Sequence, residues 1–126
     1  MTFHVCVWID QREARIFDVG ATDSSVARVA DDRPVHHLHR KANHVGLGTV
    51  EMDPDMLGEV ADKLGAPKGI LIVGPGKAKT VLKAYLDDKH PEIARNVWDV
   101  QPGDHPTDAE LVATARAWFR AQNRMR

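Results

Sequence analysis

The chain has 126 residues, of which 43% are hydrophobic and 28% are charged. This length is typical of one compact domain, so we expect a single domain over residues 1–126 and exclude two full domains. The 17 Lys and Arg residues nearly balance the 18 Asp and Glu residues. The balance excludes a histone-like basic protein and a wholly acidic, disordered one.

A cytoplasmic location is expected from the cysteine content and from the apolar segments. Cys6 is the one cysteine of the sequence, so no internal disulfide can form. The sequence does not open with a charged-then-apolar leader, and no apolar stretch approaches the roughly 18 residues of a membrane span. We therefore expect a protein of a reducing compartment that does not enter a membrane.

Alternating apolar residues in the first part of the sequence predict strands. Residues 3–9 are apolar on both alternating faces, which is typical of a strand near the centre of a sheet. After a polar break, residues 14–19 predict a returning strand and residues 25–30 a weaker third strand. Residues 35–40 predict a polar edge strand, and residues 41–51 an exposed loop.

From residue 53 onwards, apolar residues recur with the spacing of a helix. Asp53 and Pro54 supply an N-cap and a first helical residue, and the apolar stripe that follows ends at Gly65. Residues 70–73 form a short apolar run between glycines. Such a run predicts a strand buried on both faces.

Two further helices and a last strand complete the predicted elements. Apolar residues recur with helical spacing over residues 78–86 and predict a second helix with one buried face. Pro91 opens a short helical turn. Residues 96–100 predict a strand, and a capping box at Thr107 and Glu110 opens the final helix. Strands followed by alternating helices and strands predict an α/β sandwich on a mixed sheet of about five strands, antiparallel at the start and parallel later.

Charges of one sign are grouped along the sequence. Residues 33–50 contain Arg33, Arg40, Lys41 and four histidines but no acid, whereas residues 51–62 contain five acids and no base. Residues 67–86 carry four lysines without an acid, and every charged residue after Glu110 is an arginine. This segregation predicts a local positive field, with an ordinary solvated surface as the alternative.

A Gly-rich turn is the best local signal for a binding site. Gly74 and Gly76 lie between the buried strand and the second helix, and Lys77 and Lys79 open that helix. Free backbone N–H groups, the helix dipole and two ammonium groups would meet there on an anion. The spacing is not that of a Walker A loop, which argues against a nucleoside triphosphatase. The alternative is a tight turn in which the glycines only let the backbone bend.

The histidine-rich segment is a second candidate site. His37 and His39 would share one face of a strand, but no carboxylate or thiolate lies nearby to complete a metal site. We therefore expect no metal and no other cofactor. A phosphate-contacting surface with Arg40, Lys41 and the loop residue His44 is the favoured interpretation.

Acidic residues near strand ends leave an enzyme open as an alternative. A two-metal nuclease would need Asp10, Asp18, Asp99 and Asp104 to converge within about 4 Å of each ion. Asp10 and Asp104 are also explained as turn residues. Cys6 lies in the middle of a strand, where a buried thiol is inert.

Residues 69–92, GILIVGPGKAKTVLKAYLDDKHPE, resemble the middle of the central domain of archaeal and eukaryotic peptide release factors and of Pelota, a ribosome-rescue protein. The opening HVCVWIDQREARIFDV is similar to the first hairpin of that domain. The whole sequence also resembles small bacterial proteins labelled translational machinery proteins, with their VWIDxREAR opening, His-rich middle and DHPTD motif. The resemblance implies a ribonuclease H-like fold.

One departure from these families bears on activity. Release factors hydrolyse peptidyl-tRNA with a Gly-Gly-Gln loop, and the matching residues 41–50 contain no glutamine. Hydrolase activity is therefore not implied, and Pelota also lacks the motif. The resemblance implies the ribosome or a structured RNA as partner, although 126 residues accommodate only the central domain.

The sequence thus favours a translation-associated RNA- or ribosome-binding domain. Its binding residues are predicted to be Arg40, Lys41, His44, Gly74, Gly76, Lys77 and Lys79. One alternative is a metal-dependent nuclease or an ester hydrolase of the same fold. Another is a homodimeric interaction protein whose edge strand pairs with itself.

Overall fold

A computed structural model of the chain describes residues 4–20, 24–31 and 52–125. These residues form five strands and four helices. The strands are β1 (His4–Ile9), β2 (Glu13–Val19), β3 (Ser24–Ala30), β4 (Gly69–Gly74) and β5 (Val97–Pro102). The helices are α1 (Pro54–Leu64), α2 (Ala78–Lys89), α3 (Pro91–Ala94) and α4 (Asp108–Met125).

The five strands form one mixed sheet in the order β3-β2-β1-β4-β5. β1 pairs antiparallel with β2 and parallel with β4, so Val7 lies between Ile16 and Ile72. β2 pairs antiparallel with β3, and β4 pairs parallel with β5. The predicted mixed sheet, antiparallel at the start of the chain and parallel later, is confirmed.

Helices cover both faces of the sheet. Val5, Val7 and Ile9 of β1 belong to one core, which packs against α1, α2 and α3. Cys6 and Trp8 point to the other face and belong to a second core under α4. The two-sided apolar pattern of β1 therefore follows from its central place between two helical layers.

Local capping fixes where two of the helices begin. At α1, the Asp53 carboxylate accepts a hydrogen bond from the Asp55 N–H at 3.0 Å. At α4, the Thr107 N–H donates to Glu110 at 2.8 Å and the Thr107 hydroxyl accepts from the Glu110 N–H at 3.1 Å. These hydrogen bonds confirm both predicted caps. The caps could be predicted because each depends on residues that are close in sequence.

The predicted strand over residues 35–40 and loop over residues 41–51 lie outside the described residues. Strand β5 extends to Pro102, two residues beyond its predicted end. No helix in the described ranges is both long enough and apolar enough to cross a membrane.

Candidate functional site

The Gly-rich turn lies where β4 ends, beside the end of the parallel neighbour β1. A Cβ atom added to Gly74 would lie 2.1 Å from the Ile9 carbonyl oxygen, so only glycine permits this approach of the two strands. Gly76 has φ +64, and an added Cβ would meet nothing within 4 Å. Gly74 thus serves close packing, and Gly76 serves a left-handed turn.

Positive groups gather on this turn. Lys77 is exposed and occupies the N-cap position of α2, where its side chain makes no capping hydrogen bond. The Lys79 ammonium group donates to the Gly76 carbonyl oxygen and so lies over the turn. The first turn of α2 contains no acid, and its N–H groups have no partner within the helix. The local field therefore favours an anion.

The loop that precedes α4 forms the neighbouring wall of the site. The Gly103 N–H donates to the Gly74 carbonyl at 3.1 Å, which fixes this loop next to the turn. His105 lies between two carboxylates: its Nε2 is 3.7 Å from Asp10 Oδ2, and its Nδ1 is 3.3 Å from Asp104 Oδ1. The same edge of the sheet thus carries cations on the turn and acids on the adjacent loops.

The acidic candidates do not form a metal centre in the described part of the chain. Asp10 is a turn residue, since its Oδ1 accepts from the N–H groups of Arg12 and Glu13, each at 2.8 Å. Asp18, near the opposite end of the sheet from Asp10, accepts from the Ser25 hydroxyl at 3.0 Å. Across the described ranges, no group of three His, Cys, Asp or Glu side chains is placed to hold a metal ion.

A buried arginine, Arg15, holds the loop before α4 in place, and this role was not predicted from the sequence. The Arg15 guanidinium lies 4.4 Å from the centroid of the Trp8 ring. Its Nη1 donates to Asp108 Oδ1 at 2.5 Å, and its Nη2 donates to the Pro106 carbonyl at 3.2 Å. The Trp8 indole N–H donates to the Asp104 carbonyl at 2.7 Å. We call these contacts the Trp8–Arg15 clamp.

The clamp brings together the two sequence motifs at the ends of the chain. Trp8 and Arg15 belong to the VWIDxREAR segment, and Asp104, Pro106 and Asp108 belong to the DHPTD segment. The sequence carries one indication of this contact, which is an arginine flanked by apolar residues in a strand. A buried charge needs a partner, so such an arginine predicts an ion pair or hydrogen bonds.

Cys6 is fully buried beneath α4, and burial raises the pKa of its thiol to about 12. The predicted burial of Cys6 in the middle of a strand is confirmed. The predicted phosphate-contacting residues Arg40, Lys41 and His44, together with His37 and His39, lie outside the described residues.

No protein-family model matches this sequence, and no curated protein matches it. Solved structures do match. Pelota of Archaeoglobus fulgidus aligns with a TM-score of 0.61 and 18% identity, over 95% of this chain and 35% of that chain. Pelota of Thermoplasma acidophilum aligns with a TM-score of 0.59 and 20% identity, over 90% of this chain and 31% of that chain.

The archaeal translation termination factor aRF1 aligns with a TM-score of 0.56 and 14% identity, over 97% of this chain and 38% of that chain. The present chain thus spans about a third of the length of these proteins. At such identities the likeness establishes the fold. The predicted resemblance to the central domain of Pelota and release factors, and the predicted α/β sandwich on a mixed five-stranded sheet, are confirmed at the level of the fold.

Proposed function

We propose that this chain is a translation-associated domain that binds RNA or the ribosome without hydrolysing peptidyl-tRNA. The observation that carries the proposal is the fold, which this chain shares with Pelota and with an archaeal translation termination factor. The shared fold extends over nearly the whole chain, so the proposal concerns residues 1–126 as one domain.

The positive turn supplies the chemistry for RNA binding. Lys77, Lys79 and the first-turn N–H groups of α2 favour a phosphate group, and a phosphate contact needs no particular base. We include Arg40, Lys41 and His44 among the proposed RNA-binding residues. Binding of this kind depends strongly on salt and little on RNA sequence.

The absence of hydrolase activity follows from the sequence of residues 41–50. This segment offers Asn43, His44 and Thr49 as polar side chains but has no glutamine to position a water molecule. Wild-type protein and His44→Ala are therefore both expected to leave peptidyl-tRNA intact on ribosomes. Release above background that depends on His44 would make the protein an enzyme.

The alternatives receive less support. A metal-dependent nuclease needs converging ligands, and Asp18 and Asp10 lie towards opposite edges of the sheet. The matching structures give no support to a homodimer.

The salt dependence of RNA binding tests the role of the turn. In the Lys77→Ala/Lys79→Ala variant, affinity for unrelated RNAs should fall, and the slope of log K against log salt should drop by up to about 1.4, at about 0.7 per lost contact with single-stranded RNA. The Lys63→Ala/Lys89→Ala variant removes the same charge from the ends of α1 and α2 and should bind like wild type. Equal binding by all three proteins at every salt concentration would refute an anion site at the turn.

A further inference from the structure

Three arginines form a row along α4. Arg116, Arg120 and Arg124 are spaced by four residues, so they follow one flank of the helix over about 12 Å. Ala115 and Phe119 lie on the buried side of the same helix. The flank is therefore separate from the surface that α4 uses to pack on the sheet.

This arginine flank borders an open groove between α4 and β3. The groove has a volume of about 320 Å³, and its lining includes Ser24, Val26, Ala113 and Arg116, together with Asp108, whose carboxylate is paired with Arg15 and Arg28. Val26 is 43% exposed there. The Arg116 Nε donates to the Gly20 carbonyl at 2.8 Å, which fixes the start of the row at the end of β2.

The charge of this flank is not neutralised by its own helix. No acid follows Glu110 in the sequence. Arg120 and Arg124 are exposed, and among residues 4–20, 24–31 and 52–125 no carboxylate lies within 4 Å of either. By contrast, Arg28 pairs with Asp108 at 2.5 Å. The helix dipole accounts for a cation in the last turn, at Arg124, but not for Arg120 one turn earlier.

The arginine row lies at the far end of the sheet from the Gly-rich turn. Asn123, beside Arg124, approaches His4 at the start of β1, with 3.5 Å between Nδ2 and Nε2. The turn with Lys77 and Lys79 lies where β1 and β4 end. Because β1 has six residues, about 20 Å of sheet separates the two ends.

We infer that the arginine flank of α4 is a second contact for an RNA backbone, so that one folded RNA bridges both ends of the sheet. The inference rests on the proposed function and specifies its partner as an RNA long enough to reach both surfaces. Guanidinium groups suit phosphate because they donate two parallel hydrogen bonds. A row of like charges without intervening acids matches a polyanion, and the open groove leaves room beside it.

Binding of transfer RNA over a range of salt concentrations tests the inference. The Arg120→Gln/Arg124→Gln variant changes exposed side chains of α4 that make no hydrogen bond or ion pair within the described residues, so we expect the fold to be retained. We expect weaker binding and a slope lower by up to about 1.4. Combined with Lys77→Ala/Lys79→Ala, the two losses should add, because the sites are far apart. The matched control is Lys63→Gln/Lys89→Gln on the other face of the sheet.

The outcomes separate this inference from the proposed function. If only the lysine variant weakens RNA binding, the arginine flank is not an RNA contact and the proposed function stands. If the arginine variant binds RNA normally but no longer cosediments with ribosomal subunits, the flank faces a protein and the RNA assignment is overturned. If the wild-type protein binds no transfer RNA, this inference fails, and the proposed function fails with it only if the protein also does not cosediment with ribosomal subunits.

Discussion

Replacing Gly74 by alanine is expected to destabilise the fold much more than replacing Gly76. At Gly74 the new methyl group would lie 2.1 Å from the Ile9 carbonyl oxygen, which belongs to the backbone and cannot rotate away. Either β1 or β4 must shift, and the backbone also holds a φ of +157 that favours glycine. Overpacking costs about 1–3 kcal/mol and a disfavoured backbone conformation a similar amount, so we expect a loss of about 2–6 kcal/mol.

At Gly76 the methyl group meets nothing within 4 Å, so the left-handed φ of +64 alone costs about 1–2 kcal/mol. Gly65 provides a second control, with φ +65 and equally open surroundings at the end of α1. Urea unfolding followed by circular dichroism gives the three free energies of unfolding. Equal losses for Gly74→Ala and Gly76→Ala would refute the close approach of β1 and β4 as the reason for Gly74.

Three further predictions concern the buried side chains of Arg15 and Cys6 and the partly buried side chain of His4. Arg15→Gln should lower the free energy of unfolding by about 2–3 kcal/mol, because it removes charge-assisted hydrogen bonds. The Arg28 side chain is 55% exposed, so Arg28→Gln should lower it by at most about 1 kcal/mol. Equal losses would contradict the Trp8–Arg15 clamp. Since burial raises the pKa of Cys6 to about 12, native protein should resist a thiol reagent at pH 8 and unfolded protein should react quickly; fast native labelling would show an accessible thiol. Burial lowers the pKa of His4 from 6.5, so the unfolded state takes up a proton first as the pH falls. The free energy of unfolding should therefore decrease as the pH drops below about 6.5, and His4→Phe should reduce this decrease. The same pH dependence in His4→Phe and wild type would contradict a role of His4.

The fold could be predicted from the sequence because its signals are local. The two apolar faces of β1, the glycine-bounded run of β4 and the caps at Asp53 and Thr107 each depend on a few neighbouring residues. Such patterns indicate the element type and the buried face without knowledge of any tertiary contact.

The site could be predicted only in part, because its contacts join distant residues. Gly74, Lys77 and Lys79 lie within six consecutive residues, so their proximity at the turn could be read from the sequence alone. The Trp8 indole and the Asp104 carbonyl are 96 positions apart, and their contact depends on the order of strands in the sheet. Likewise, spacing alone could place Arg116, Arg120 and Arg124 on one flank of α4, but it could not place Arg116 at the groove beside β3.

Cosedimentation with purified ribosomal subunits tests whether this domain binds the ribosome. We expect wild-type protein to pellet with subunits at low salt and to be released at high salt, and Lys77→Ala/Lys79→Ala to be released at a lower salt concentration. The Lys63→Ala/Lys89→Ala protein should follow the wild type. Wild-type protein that stays in the supernatant with both subunits at low salt would contradict a ribosome-binding role.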